Sequence, residues 1–279
     1  MNFINSAYGD LEELASAYRN NYINSDPFPS IHFRNFFNED ILKGVLEEYE
    51  DLENNAPLKF KSPNQIKLAS KGENNFGLKT RAFVHFLNSE PFLQFLQSIS
   101  QIEETLLPDP YLEGGGFFKI KYGGYVKIHA ELNKHRFSKL DRRLNAVIYL
   151  NQNWKEEYGG HHELWNEDVS ICLKKVMPEF NTLVLFSTTD DSYHGSPNPL
   201  QCPPDISNKS LSLFYYSNGR PTHEINEGFD DHSIVYKPRN GNKKDNKMSV
   251  YNALLTVKNV IMAFTPPIIP RVTKKIFRS

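Results

Sequence analysis

From residue 114 to residue 217 the chain is a succession of short apolar runs cut by glycines and turn residues. Gly114-Gly115-Gly116 and Gly123-Gly124 open the series, and the runs cover residues 117–121, 125–131, 144–151, 162–165, 183–187 and 211–217. None is long enough to set up a helical face. Runs of this length with turn signals between them dictate strands. Their spacing predicts an all-β sandwich or jelly roll. The glycines suit tight turns at barrel corners. They are not a phosphate loop, because neither GxxxxGK[ST] nor GxGxxG precedes a helix.

The first third has a different texture. Residues 10–22 and 38–54 carry apolar side chains at helical spacing, among them Ile41, Leu42, Val45, Leu46 and Tyr49. Ser89-Glu90-Pro91 is a helix start, followed by Phe92, Leu93, Phe95, Leu96 and Ile99. Residues 55–77 are polar and Asn-rich and read as a loop region. Beyond Arg220 the chain turns polar again, with a loop at residues 239–247. A last helix follows over residues 248–264 (Val250, Leu254, Val257, Ile261), ended by Pro266 and Pro267. No internal repeat occurs.

Charge narrows the function classes. The 32 Lys+Arg nearly cancel the 33 Asp+Glu, for a net charge of -1. That balance hides a split: residues 232–279 hold ten basic residues and one acidic, while residues 1–231 hold 22 basic and 32 acidic. An acidic body is a poor nucleic-acid binder, so no nucleic-acid partner is expected. The tail residues Arg271, Lys274, Lys275 and Arg278 suit a solvated end. Peripheral contact with an anionic membrane or an acidic partner is the sharper alternative. The N-terminus lacks the apolar core of a signal peptide, and no run approaches the roughly 18 apolar residues of a membrane span. Cys172 and Cys202 form no CxxC pair, which fits a reducing compartment and a cytoplasmic protein. The oligomeric state is not legible.

The chemistry sits on the run 125–131. His129 and Glu131 are two apart, so a strand places both on one face. His194 follows an apolar run further on. Two imidazoles and a carboxylate on one face are the ligands of mononuclear non-haem iron oxygenases, with three positions left open for O2 and a chelating cosubstrate. His32, His85, His135, His223 and His232 have no partner at metal-ligand spacing.

The surrounding motifs are more specific. They are the segment 114–133 (GGGFFKIKYGGYVKIHAELN), the segment 141–154 (DRRLNAVIYLNQNW), the segment 158–165 (YGGHHELW), Pro178-Glu179-Phe180-Asn181, Ser192-Tyr193-His194-Gly195-Ser196-Pro197 and the segment 209–216 (KSLSLFYY). Together they resemble the proline 4-hydroxylase-like family of Fe(II)/2-oxoglutarate dioxygenases, in its bacterial branch. The resemblance is specific over about residues 111–221. It is looser toward the N-terminus, where residues 27–36 look like the family's entry strand. It implies an α+β, mainly β chain. A double-stranded β-helix (jelly-roll, cupin-like) core would carry N-terminal helices packed on it and a C-terminal helix. It divides the chain into residues 1–110, a helical support region of the same domain; residues 111–221, the catalytic core; and residues 222–279, a basic extension with one helix. It implies hydroxylation of a C–H bond in a peptide or small molecule, with Fe(II), 2-oxoglutarate and O2, succinate and CO2 as coproducts, and ascorbate as an accessory reductant.

Carried over by position, His129, Glu131 and His194 are the metal ligands. Tyr149 matches the tyrosine that bonds the distal carboxylate of 2-oxoglutarate, and alternation puts Val147 and Asn145 on its face. Arg142 matches a basic residue at the substrate mouth, with Asn145 nearby, and Phe214 an aromatic lining the pocket.

Three positions depart from the pattern. Glu131 stands where Asp is usual and is longer by one C–C bond of about 1.5 Å. Asn208 stands where the family has Arg or Lys to clamp the distal carboxylate. Lys209 is next to it but on the opposite face unless a slip or bulge brings it in. His162 replaces an apolar residue, and a protonated imidazole there would stand in for the missing cation. These departures define the alternative: a catalytically decayed or cosubstrate-altered relative kept as a binding or scaffold module.

Overall fold

The computed structural model describes residues 2–49, 57–74, 76–224 and 232–264. The elements run α1 (Leu11–Ile23), β1 (Ser30–Arg34), α2 (Glu39–Tyr49), β2 (Leu58–Lys61), β3 (Gln65–Ala69), α3 (Leu78–Leu87), α4 (Glu90–Ser100) and β4 (Leu107–Pro108). Then come β5 (Gly116–Lys121), β6 (Tyr125–Ala130), β7 (Asp141–Tyr149), β8 (His162–Trp165), β9 (Cys172–Val176) and β10 (Thr182–Ser187). The chain goes on through β11 (His194–Ser196), β12 (Ser207–Ser217), β13 (Val235–Tyr236) and α5 (Asn246–Phe264).

The strands form one wrapped antiparallel sheet in the order β1-β10-β7-β12-β5-β3-β6-β11-β8-β9, the double-stranded β-helix that the motifs imply. One wall is β10-β7-β12-β5, the other β6-β11-β8-β9. β3 closes the gap between them by pairing with both β5 and β6.

Strand period two sorts the side chains of β7. Leu144, Ala146 and Ile148 point into the helical layer, where they join Leu14, Phe83, Phe92 and Phe95 in one core. Asn145, Val147 and Tyr149 point the other way and line the barrel interior. Because helices cover one face and the pocket the other, all nine residues of β7 are buried. Deleting one of these rings, such as Phe95→Ala, would cost about 3–5 kcal/mol.

The helices start as their sequences dictate. The Asp10 carboxylate accepts from the backbone N–H groups of Glu12 and Glu13 at 2.8 and 3.3 Å, and Asn38 caps α2 through Asp40 and Ile41. Ser89 does begin α4, but its hydroxyl donates to Phe86 O at 2.6 Å instead of capping.

Two local expectations need correcting. Residues 55–77 are not all loop, because β2 and β3 form a hairpin there. Its Lys-Phe-Lys and Gln-Ile-Lys-Leu runs alternate as strands do, but each is short and set among polar residues. The last helix touches the barrel through its first turns: Met248 is buried and Asn64 Nδ2 donates to Asn252 Oδ1 at 2.9 Å. Its apolar stripe Val250, Leu254 and Val257 stays exposed. The tail basic residues, the two prolines and residues 50–54 of the second predicted helix lie outside the described residues. No helix among the described residues is long and apolar enough to cross a membrane.

Candidate metal centre

His129 lies near the end of β6, Glu131 one residue past it, and His194 at the start of β11. Antiparallel pairing puts His194 directly opposite His129. Glu131 Oε1 is 3.6 Å from His129 Nε2 and 3.5 Å from His194 Nε2. One ligand atom from each of the three residues lies within 4.8 Å of the others. Gly195 makes this approach feasible: a Cβ there would meet the Lys127 and Val126 carbonyl oxygens at 2.9 Å.

The hydrogen bonds fix the tautomers. His129 Nδ1 is 2.8 Å from Lys127 O, and His194 Nδ1 is 3.0 Å from Ser192 O. A carbonyl only accepts, so each Nδ1 carries the proton. Each Nε2 is thereby turned toward Glu131 Oε1. Burial, together with the neighbouring His129, pushes the His194 pKa down, against a second proton. Two imidazole nitrogens and a carboxylate oxygen therefore converge on one point. That is the donor set of a divalent cation, with the imidazoles oriented by outer hydrogen bonds.

Glu131 is held ionised. Burial alone would raise its pKa, but the Arg142 guanidinium and the two histidines outweigh that and hold it well below the carboxylate range. Arg142 is 1% exposed. Its Nη1 lies 3.4 Å from Glu131 Oε2, its Nε donates to Asn145 Oδ1 at 3.0 Å, and its guanidinium carbon sits 3.3 Å from the Phe214 ring centroid.

Deeper in the barrel, the Tyr149 hydroxyl is 3.0 Å from His162 Nδ1. Burial pushes the Tyr149 pKa up, so the group stays a neutral hydroxyl. His162 stacks on His194 at 5.6 Å between centroids, and its buried Nε2 has no hydrogen-bond partner among the described residues. Burial, and then His194 and His129, hold the His162 pKa well below its ordinary value. That favours the neutral imidazole.

Asn208 lines the pocket, but its amide is engaged: Oδ1 accepts from Asn151 Nδ2 at 3.1 Å and Nδ2 donates to Gly160 O at 3.3 Å. Lys209 does not line the pocket. Its backbone N–H donates to Asn151 Oδ1 at 2.6 Å, and its ammonium lies on the outer face, 5.8 Å from the Tyr49 ring. Placing it among the cosubstrate residues needs a slip at the start of β12. The pairing with β5 is regular there, and the one irregularity against β7 falls between Tyr215 and Tyr216.

The pocket also holds residues that the motifs do not contain. Gln65 and Lys67 enter from β3, and Ile234 and Tyr236 from the segment around β13. The β13 strand pairs with β6 at Ala130 and His129, and the Tyr236 ring lies 5.2 Å from the His129 ring. A lysine pair at period two around Phe60 (Lys59, Lys61), followed by Gln65-Ile66-Lys67, was the available signal for the β3 residues. Nothing in the local sequence marks Tyr236.

Residues 116–227 match the family model of the 2OG-Fe(II) oxygenase superfamily. No curated protein matches the chain. Among solved structures, it is similar to a prolyl 4-hydroxylase from Pseudomonas putida, at 16% identity and a TM-score of 0.52, over 74% of this chain and 100% of that one. It is similar to a Trichoplax adhaerens prolyl hydroxylase, solved with a peptide fragment of the hypoxia inducible factor oxygen degradation domain. There the identity is 16% and the TM-score 0.53, over 74% and 90% of the two chains. A 2OG-Fe(II) oxygenase family oxidoreductase from Burkholderia pseudomallei gives 10% identity and a TM-score of 0.51, over 77% and 95%. At these identities the likeness is one of fold. The resemblance to prolyl 4-hydroxylase-like dioxygenases, drawn above from the motifs, stands.

Proposed function

We propose that the chain hydroxylates a C–H bond of a peptide or small molecule in the manner of prolyl 4-hydroxylases, consuming 2-oxoglutarate and O2 and releasing succinate and CO2. His129, Glu131 and His194 would hold Fe(II), which supplies the oxidising chemistry when bound. The observation that carries this reading is the convergence of His129 Nε2, His194 Nε2 and Glu131 Oε1 with both Nδ1 protons tied to backbone carbonyls.

The chain's own residues orient and shield. Arg142 keeps the Glu131 carboxylate turned toward the histidines. Tyr149 offers a neutral hydroxyl for the cosubstrate, and Val147 and Phe214 give it apolar walls. Asn145 and Arg142 face the substrate side. The buried, unpartnered His162 Nε2 supports a polar ligand beside Tyr149. Ascorbate as a reductant belongs to the same proposal. Two free thiols, Cys172 and Cys202, support a reducing compartment, which we take to be the cytoplasm.

A second reading, a cosubstrate-altered or decayed relative, is favoured by one observation: the Asn208 amide is already engaged by Asn151 and Gly160. Succinate release from 2-oxoglutarate, measured with Fe(II)-loaded protein and a panel of prolyl peptides and small molecules, tests the two. Slow uncoupled turnover that one panel member accelerates is expected. No succinate from protein with iron bound stoichiometrically would leave the binding-module reading.

A further inference from the structure

A 2-oxoglutarate site needs a cation for the distal carboxylate, and here the usual position holds Asn208. Among the described residues, the pocket wall carries two cations, Arg142 and Lys67. Arg142 is already paired with Glu131. Lys67 has no ion-pair partner among the described residues, although it is only partly exposed.

Its placement is specific. β3 fills the wall between β5 and β6, and period two sends Gln65 and Lys67 inward. The Lys67 Nζ lies over two rings, 4.1 Å from the Phe118 centroid and 5.6 Å from that of Phe60. Phe118 stands opposite Ser210, and Ser210 opposite Tyr149, so one row of the interior reads Phe118, Ser210, Tyr149. All three line the pocket. A flexible four-carbon stem lets an ammonium over Phe118 serve an anion in that row.

We infer that Lys67, from a strand outside the motif-bearing core, supplies the cation that binds the distal carboxylate of 2-oxoglutarate in place of the residue missing at Asn208. This rests on the cosubstrate reading above. An ammonium drawn partly out of water is destabilised, and a carboxylate beside it relieves that cost on binding. Burial is the main cause that lowers the Lys67 pKa to about 8, with Arg142 adding to it and Glu131 opposing. The side chain therefore stays mostly charged at neutral pH. The site would select dicarboxylate 2-oxoacids over monocarboxylates.

The test compares binding of 2-oxoglutarate and 2-oxopentanoate, which lacks the distal carboxylate, to the anaerobic Fe(II) protein through the charge-transfer band. In the wild type, 2-oxoglutarate is expected to bind about 10- to 100-fold more tightly, as a charge-assisted bond gives. Lys67→Met keeps the length and apolar stem, and should erase that preference while leaving 2-oxopentanoate binding and the thermal midpoint unchanged. Lys67→Arg should restore most of it. An unchanged preference in Lys67→Met overturns the inference and turns Lys67 toward the substrate. If the wild type binds iron but neither oxoacid, the cosubstrate reading fails, and the inference with it.

Discussion

Arg142 and Glu131 are a buried pair, with Nη1 3.4 Å from Oε2, while the other carboxylate oxygen faces the two histidines. The guanidinium thus holds one oxygen of the glutamate while the other stays turned to the imidazoles. Arg142→Met should weaken divalent metal binding about 10- to 100-fold, the usual effect of losing an outer partner of a ligand. Co(II) titration of the folded variant checks it. Lys at position 142 should rescue only in part, because it lacks the fork that also bonds Asn145.

Gly195 should act on metal affinity without touching a ligand. A Cβ at this position meets two backbone oxygens of β6 at 2.9 Å, so Gly195→Ala must move β11 away from β6. His194 moves with it. The expected result is a stability loss of about 1–3 kcal/mol from overpacking, with a larger proportional loss in metal binding. Denaturant melts and a metal titration on the same sample separate the two effects.

The basic C-terminal segment is tied to the barrel beside the metal centre. Asp245 accepts from Lys127 Nζ at 2.7 Å and from Arg239 Nε at 2.9 Å, all three side chains being nearly inaccessible. Lys127 is also the residue whose carbonyl fixes His129. Burial alone would raise the Asp245 pKa, but the bonds from Arg239 and Lys127 bring it down from 3.8 to about 2. Its folded value lies below its unfolded one. The linked stability is therefore complete above about pH 4 and is lost as the pH falls through about 2. Asp245→Asn should cost about 3 kcal/mol at pH 7 and flatten the acid limb of a stability–pH profile.

His162 should matter through Tyr149. His162→Leu places an apolar residue here and removes the His162 Nδ1 partner of the Tyr149 hydroxyl. If His162 contacts the cosubstrate through its free Nε2, affinity for 2-oxoglutarate should fall about 5- to 10-fold, one neutral hydrogen bond's worth. Isothermal titration of the anaerobic metal-loaded protein measures it.

The parts of the site legible in the sequence were those set by period two and by contiguous motifs. His129, Glu131, Asn145, Val147 and Tyr149 lie on strands whose alternation fixes their faces, and all line one pocket. Alternation also gave the correct face for Lys209, and the slip invoked to bring it inward does not occur. The illegible parts came from tertiary pairing. Lys67 sits on a hairpin whose alternation, Gln65-Ile66-Lys67-Leu68, is short and set in a polar, Asn-rich stretch, so the pocket it faces is set by pairing with β5 and β6. Tyr236 reaches His129 because β13 adds to the edge of β6, which no local pattern encodes. The exposed stripe of Val250, Leu254 and Val257 has helical spacing, but spacing does not say what covers a face.

His129, Glu131 and His194 should act together as one divalent metal site. Anaerobic Fe(II) titration of the wild type and of His194→Ala, each with its thermal midpoint recorded, tests it most directly. One equivalent per chain in the wild type, lost in the folded variant, is the expected result. A wild type that binds no iron, or a variant that binds it as tightly, would contradict the claim.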